Sequence, residues 1–79
     1  MSPTVFRYKQ YRLYFFSREE ERIHVHAYCS EGEAKFWIEP KVSVARNYRL
    51  SQSQISELIG IVEDHKDEIT DAWQKHFGR

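Results

Sequence analysis

The chain is poor in the residues that staple or punctuate a fold: one cysteine, two prolines and three glycines among 79 residues. A lone Cys29 excludes an intramolecular disulfide and suits a reducing compartment. It reads as a small core residue, because a reactive thiol needs an exposed, electropositive setting. Without Pro/Gly/Ser-rich tracts there is no linker, and with no internal repeat residues 1–79 read as a single domain. Charge of one sign is not in excess either. Twelve basic residues against twelve acidic give a formal net charge of +0, which excludes the global basic field common in nucleic-acid binders and leaves only a local patch for such contacts. No apolar run approaches a membrane span, and Met1-Ser2-Pro3-Thr4-Val5-Phe6-Arg7 holds no signal-peptide core. A cytoplasmic protein with no membrane partner is therefore expected. A chain this short buries only about 60–65% of its unfolded surface, so it has room for one core and a modest stability margin.

What is abundant is alternation. In Ile23-His24-Val25-His26-Ala27-Tyr28-Cys29 and Ala34-Lys35-Phe36-Trp37-Ile38-Glu39 apolar and polar residues exchange at every step, on either side of Ser30-Glu31-Gly32-Glu33. Period two with a Gly-containing turn predicts a β-hairpin. With Cys29 opposite Ala34, Tyr28 faces Lys35, His26 faces Trp37 and His24 faces Glu39. These side chains share one face, and Ile23, Val25, Ala27, Cys29, Ala34, Phe36 and Ile38 take the other, which is the core. Upstream, Val5 to Tyr8 and Tyr11 to Ser17 predict a first hairpin across Lys9-Gln10, with Arg7 opposite Arg12 and Val5 opposite Tyr14. Lys9 and Gln10 are poor residues for the positive φ of a tight hairpin turn. Arg18-Glu19-Glu20-Glu21-Arg22 reads as a solvated connection. Pro40 ends the strand, and Val42 and Val44 start a further extended segment running to Ala45-Arg46-Asn47-Tyr48.

From Ser51 the period changes. Ile55, Leu58, Ile59, Val62, Ile69, Trp73 and Phe77 recur at helical spacing, Ser51 with Gln54 forms a capping-box pattern, and Gly78 is placed to stop the helix. One helix over 52–77 would be about 39 Å long; two helices with a bend allowed by Gly60 fit the pattern as well. His65 and His76 fall on its polar side and read as surface residues. The expected fold is α+β: one two-layer domain, with an antiparallel sheet of about four to five strands within residues 4–46 covered on one face by a helix within 51–77.

The uncovered face is where chemistry can sit. Aligned polar sides bring together Arg7, Arg12, Tyr14, His24, His26, Tyr28, Lys35, Trp37 and Glu39. Three readings compete. In the first, Arg and Lys hold phosphate, Tyr and Trp stack on unpaired bases, and a histidine with Glu39 moves protons at a 2′-hydroxyl and a leaving oxygen. In the second, His24, His26 and Glu39 hold a metal ion; Lys35 and the arginines make a cation unwelcome, and no metal or cofactor is expected. In the third, the face is covered by a protein partner, since aromatics and arginine are enriched at interfaces.

Pro3-Thr4-Val5-Phe6-Arg7, Tyr11-Arg12-Leu13-Tyr14-Phe15-Phe16-Ser17, His24-Val25-His26, Gly32-Glu33-Ala34-Lys35-Phe36-Trp37-Ile38-Glu39-Pro40, Ala45-Arg46-Asn47 and the closing Trp73-x-x-x-Phe77 together resemble a family of very short bacterial proteins, the domain of unknown function number four-one-six-zero. The sequence departs from the family pattern where Gln10 and Arg49 replace a common glycine and Ile23 a common proline. The resemblance implies a partner in a two-gene module with a second short protein, of the kind that forms toxin–antitoxin pairs. This chain would be the toxin, having no helix-turn-helix and no disordered arm. The expectation is thus a type II toxin acting on RNA, ribonuclease action included, with a cognate small antitoxin as partner and a second copy of the chain as an open possibility. His24 and His26 would transfer protons, Glu39 would orient His24, Arg12 and Lys35 would hold phosphate, Tyr28 and Trp37 would stack, and Arg46 and Asn47 would complete the site beyond the sheet. The alternative is a non-catalytic module that docks a protein through the same face.

Overall fold

A computed structural model describes residues 4–16 and 21–78; Ser17 and most of the charged connection Arg18–Arg22 lie outside them. Five strands, β1 (Thr4–Tyr8), β2 (Tyr11–Tyr14), β3 (His24–Cys29), β4 (Gly32–Trp37) and β5 (Ser43–Tyr48), form one sheet in sequence order. Every neighbouring pair is antiparallel. Two helices follow, α1 (Gln52–Asp64) and α2 (Lys66–Phe77). The alternation delivers the expected core. Leu13, Val25, Ala27, Phe36 and Ile38 are fully buried, with Cys29 among them, against Leu58, Val62, Ile69 and Trp73 of the helices.

Register departs from expectation throughout one hairpin and at one pair of the other. The β3–β4 turn is the two-residue loop Ser30-Glu31, so Cys29 pairs with Gly32, Tyr28 with Glu33, His26 with Lys35 and His24 with Trp37. This is a slip of two residues from the expected pairing. A slip of two keeps every side chain on its face, so the core survives while each partner changes. Gly32 explains the tight turn: a Cβ there would collide with the backbone carbonyl of Tyr48, so only glycine lets β5 approach this corner. In the first hairpin Arg7 does face Arg12, but a bulge at Val5 places Thr4 opposite Tyr14. A second bulge, at Ala45, lies between the Lys35–Arg46 and Phe36–Val44 pairs. Lys9 takes φ 53° and Arg49 φ 72°, a left-handed backbone uncommon for residues with a Cβ.

Ser51 caps α1 as expected: its hydroxyl accepts from the Gln54 amide and the Gln54 side chain accepts from the Ser51 amide. Gly78 closes α2 at φ 74°. The helix breaks at His65 and not at Gly60. There the His65 ring stacks on Phe6 of β1 at 4.3 Å between centroids, and its Nδ1 lies 2.9 Å from the Ile61 carbonyl. His65 is thus a half-buried pin at the corner between the helices, a correction to its reading as a surface residue.

Candidate functional site

Strand register turns the uncovered face into cross-strand rows. One row runs Arg7, Arg12, Tyr28, Glu33, Tyr48, and the next runs Thr4, Tyr14, His26, Lys35, Arg46. A third, shorter row holds His24, Trp37 and Ser43. Directly opposed residues on such a face have Cβ atoms about 4.5–5.5 Å apart, and diagonal ones about 7–8 Å. The middle row floors a cleft of about 320 Å³ lined by Tyr14, Phe16, His26, Glu33, Lys35 and Arg46.

The two histidines differ sharply. His24 is 1% exposed, because its ring is enclosed by Trp73 at 5.0 Å, His26 at 5.3 Å and Trp37 at 5.9 Å between centroids. Its Nδ1 lies 2.9 Å from the Arg22 carbonyl; a carbonyl only accepts, so Nδ1 carries the hydrogen of that bond. The expected role in proton transfer to a substrate does not suit so enclosed a ring. His26 is half-buried, stacked beside Tyr14 at 5.3 Å, and lines the cleft.

Glu39 is also displaced from its expected place. It lies past the end of β4, exposed, at the cis Glu39–Pro40 bond, and its carbonyl accepts from the Arg22 guanidinium at 2.9 Å. His24 faces Trp37 instead. Trp37 carries two cations already, the Arg22 guanidinium at 4.2 Å and the Lys35 ammonium at 4.6 Å from its ring centroid, so an incoming base meets an occupied surface. Asn47, expected in the site, is opposite Ala34 on the core side. Its side-chain amide donates to the Leu50 carbonyl at 2.9 Å and its carbonyl oxygen accepts from the Leu50 amide at 3.1 Å, which fixes the turn into α1. Arg46 is on the sheet itself, opposite Lys35.

Lys35 is 8% exposed, its stem covered and its head over Trp37. Arg12 donates from Nε to the Thr4 hydroxyl at 2.6 Å and lies 4.7 Å over Tyr14. Burial raises the Tyr14 phenol above its ordinary pKa; the Glu33 carboxylate adds to this and Arg12 opposes it. Glu33 is the residue that sequence reasoning missed. Placed in the turn by the expected register, it belongs to β4, lines the cleft, and among the described residues no hydrogen bond or ion pair holds its carboxylate. Its signal was there, in the period-two series Glu33, Lys35, Trp37. Tyr28 and Tyr48 flank it in the first row, 50% and 60% exposed.

Among the described residues no group of three or more His, Cys, Asp or Glu could hold a metal ion, and no helix is long and apolar enough to cross a membrane. No curated protein and no solved structure matches the chain. A family model does match, over residues 11–74. That span runs from the first residue of β2 to the turn of α2 carrying Trp73, and so takes in four of the five strands and the whole floor of the cleft except its β1 edge. The chain belongs to the family described as Domain of unknown function (DUF4160).

Proposed function

We propose that the cleft over Tyr14, His26, Lys35 and Arg46 holds single-stranded RNA, and that the growth-inhibiting role implied by the family resemblance is exercised there. The observation that supports this is the middle row itself: two cations opposite one another beside a histidine and a tyrosine, lining one concavity. Such a surface offers phosphate the cations of Lys35 and Arg46 and leaves the exposed Phe16 ring at its edge for an unpaired base, which is how single strands are gripped without a large net charge. Holding RNA is better supported than cutting it. Transfer of a phosphodiester to a 2′-hydroxyl needs a base and then an acid, and of the two histidines only His26 lines the cleft.

The test is fluorescence anisotropy with a labelled single-stranded RNA, in step with growth after induction. Arg46→Ala should weaken binding about five- to tenfold and flatten its salt dependence by about one phosphate contact. Wild type should arrest growth, and the His26→Ala/Arg46→Ala double variant, at equal soluble level, should not. Absence of RNA binding at low salt would end this reading. It would favour the docking of a small antitoxin-like protein, for which the exposed rings of Phe16, Tyr28 and Tyr48 on the same face speak.

A further inference from the structure

Beyond the phosphate cleft the face continues into a second, more open hollow at the β3–β4 corner. It is walled by Tyr28, Glu33, Tyr48 and Arg49 and floored by the Ser30–Gly32 turn. Its make-up differs from that of the cleft. Tyr28 and Tyr48 are among the few large hydrophobic side chains exposed among the described residues, and they stand on the strands to either side of Glu33, directly opposite it in register. Two inter-strand spacings separate β3 from β5, about 10 Å. A planar ring placed midway is then about 5 Å from each tyrosine, inside the range of about 4.5–7 Å at which aromatic rings attract. The corner is also fixed in shape. Gly32 leaves no space for a Cβ against the Tyr48 carbonyl, and Arg49 is turned by its left-handed backbone so that its guanidinium lies 6.0 Å from the Tyr48 ring centroid.

The base that suits this hollow is set by Glu33. A carboxylate only accepts, through two oxygens side by side. Guanine presents two adjacent donors on its Watson–Crick edge, N1–H and the N2 amino group, and can satisfy both oxygens at once. Adenine and cytosine each set a ring nitrogen lone pair beside a single amino group, and uracil flanks one N–H with two carbonyls; each would bring lone pairs against the carboxylate. Glu33 is half-buried and held by no ion pair or hydrogen bond among the described residues, so the pairing would not have to displace an existing one.

We infer that Tyr28, Glu33 and Tyr48 form a guanine-selective base subsite beside the phosphate cleft, the tyrosines stacking on the base and the Glu33 carboxylate reading its N1–H and N2 amino donors. The inference rests on the nucleotide-binding reading of the cleft. Arg49, at the outer wall, is placed to meet the phosphate on the far side of that nucleotide.

The experiment compares binding of two RNA pentamers, four uridines around a central guanosine or a central adenosine, and of guanosine and adenosine 3′-monophosphates, by anisotropy and calorimetry. The guanosine pentamer should bind at least about tenfold tighter than the adenosine one. Glu33→Gln, which keeps shape and removes the second acceptor, should bring the two within about twofold. Tyr48→Ala should weaken both. Thermal melts of each variant show that the fold is kept. If guanosine and adenosine pentamers bind equally while Arg46→Ala still weakens both, the base subsite is wrong and the RNA reading stands. If neither pentamer and neither monophosphate binds, both are wrong. Selective binding of guanosine monophosphate without binding of the pentamer would keep the guanine subsite and identify its occupant as a free nucleotide.

Discussion

The two ends of this sheet are closed by different physics. At the far end, where β3 begins, closure is aromatic: Phe15 meets Trp73 edge-on at 5.4 Å and Phe77 at 5.7 Å, and Trp73 encloses His24 from the helix side. At the turn end, closure is polar. The Tyr8 hydroxyl and the Lys9 ammonium both donate to Glu57 of α1, at 2.7 and 2.6 Å, and Gln54 donates to Glu31 in the β3–β4 turn at 2.9 Å. One end withdraws its histidine from solvent, and the other leaves Tyr28, Glu33 and Tyr48 outside. Buried aromatic packing and the exposed Tyr28–Glu33–Tyr48 hollow thus stand at opposite ends of the same strands.

The largest effect should come from the aromatic end. Trp73→Ala should cost about 3–5 kcal/mol, a large share of the roughly 4–12 kcal/mol expected for a domain of this size, and should expose the His24 ring. Tyr48→Ala, at the other end, should change stability by no more than about 0.5 kcal/mol. Urea midpoints measure both, and equal losses would erase the distinction between the ends. Next in size is Gly32→Ala. Because the colliding atom is a backbone carbonyl, the β4–β5 corner must open, at about 1–3 kcal/mol. The loss should appear together with faster amide exchange in β5, and exchange left unchanged there would show that the corner gives way elsewhere.

Much of this was legible in the sequence because it depends on parity. Alternation placed His26, Lys35 and Trp37 on one face and Val25, Phe36 and Ile38 on the other, and a register slip of two leaves that assignment intact. Partners are a different matter. Glu39 was matched to His24 because the turn was centred between Glu31 and Gly32, which a two-residue or a four-residue loop allows; the turn is instead Ser30-Glu31, with Gly32 in β4 against the Tyr48 carbonyl, a tertiary fact. Burial of His24 was illegible for a similar reason: it is imposed by Trp73, 49 positions later in the chain. Arg46 and Asn47 were expected beyond the sheet; β5 instead runs on to Tyr48, and after the bulge at Ala45 it sets Arg46 opposite Lys35 and Asn47 opposite Ala34. The helix break at His65 depends on its stacking with Phe6, which no helical periodicity announces.

The smallest expected effect, and the one that separates the two ends most cleanly, depends on pH. Hydrogen bonds from Lys9 and then Tyr8 hold the Glu57 carboxyl below its ordinary value of 4.5. The native state therefore binds that proton less readily than the unfolded chain does. The contact's contribution is complete above about pH 4.5 and fades as pH falls through the depressed native value. Phe15, Trp73 and Phe77 carry no ionisable side chain of their own. Glu57→Gln should lower the urea midpoint slightly at pH 7, and the gap from wild type should narrow as pH falls below about 4.5. The deficit of a milder aromatic variant, Phe77→Leu, should still be present at pH 3. A Glu57→Gln deficit as large at pH 3 as at pH 7 would mean that the carboxylate's charge does not secure the turn end. The Lys9 turn, with its left-handed backbone, would then have to be held by packing of the Tyr8 ring against Tyr11, whose centroids lie 6.5 Å apart.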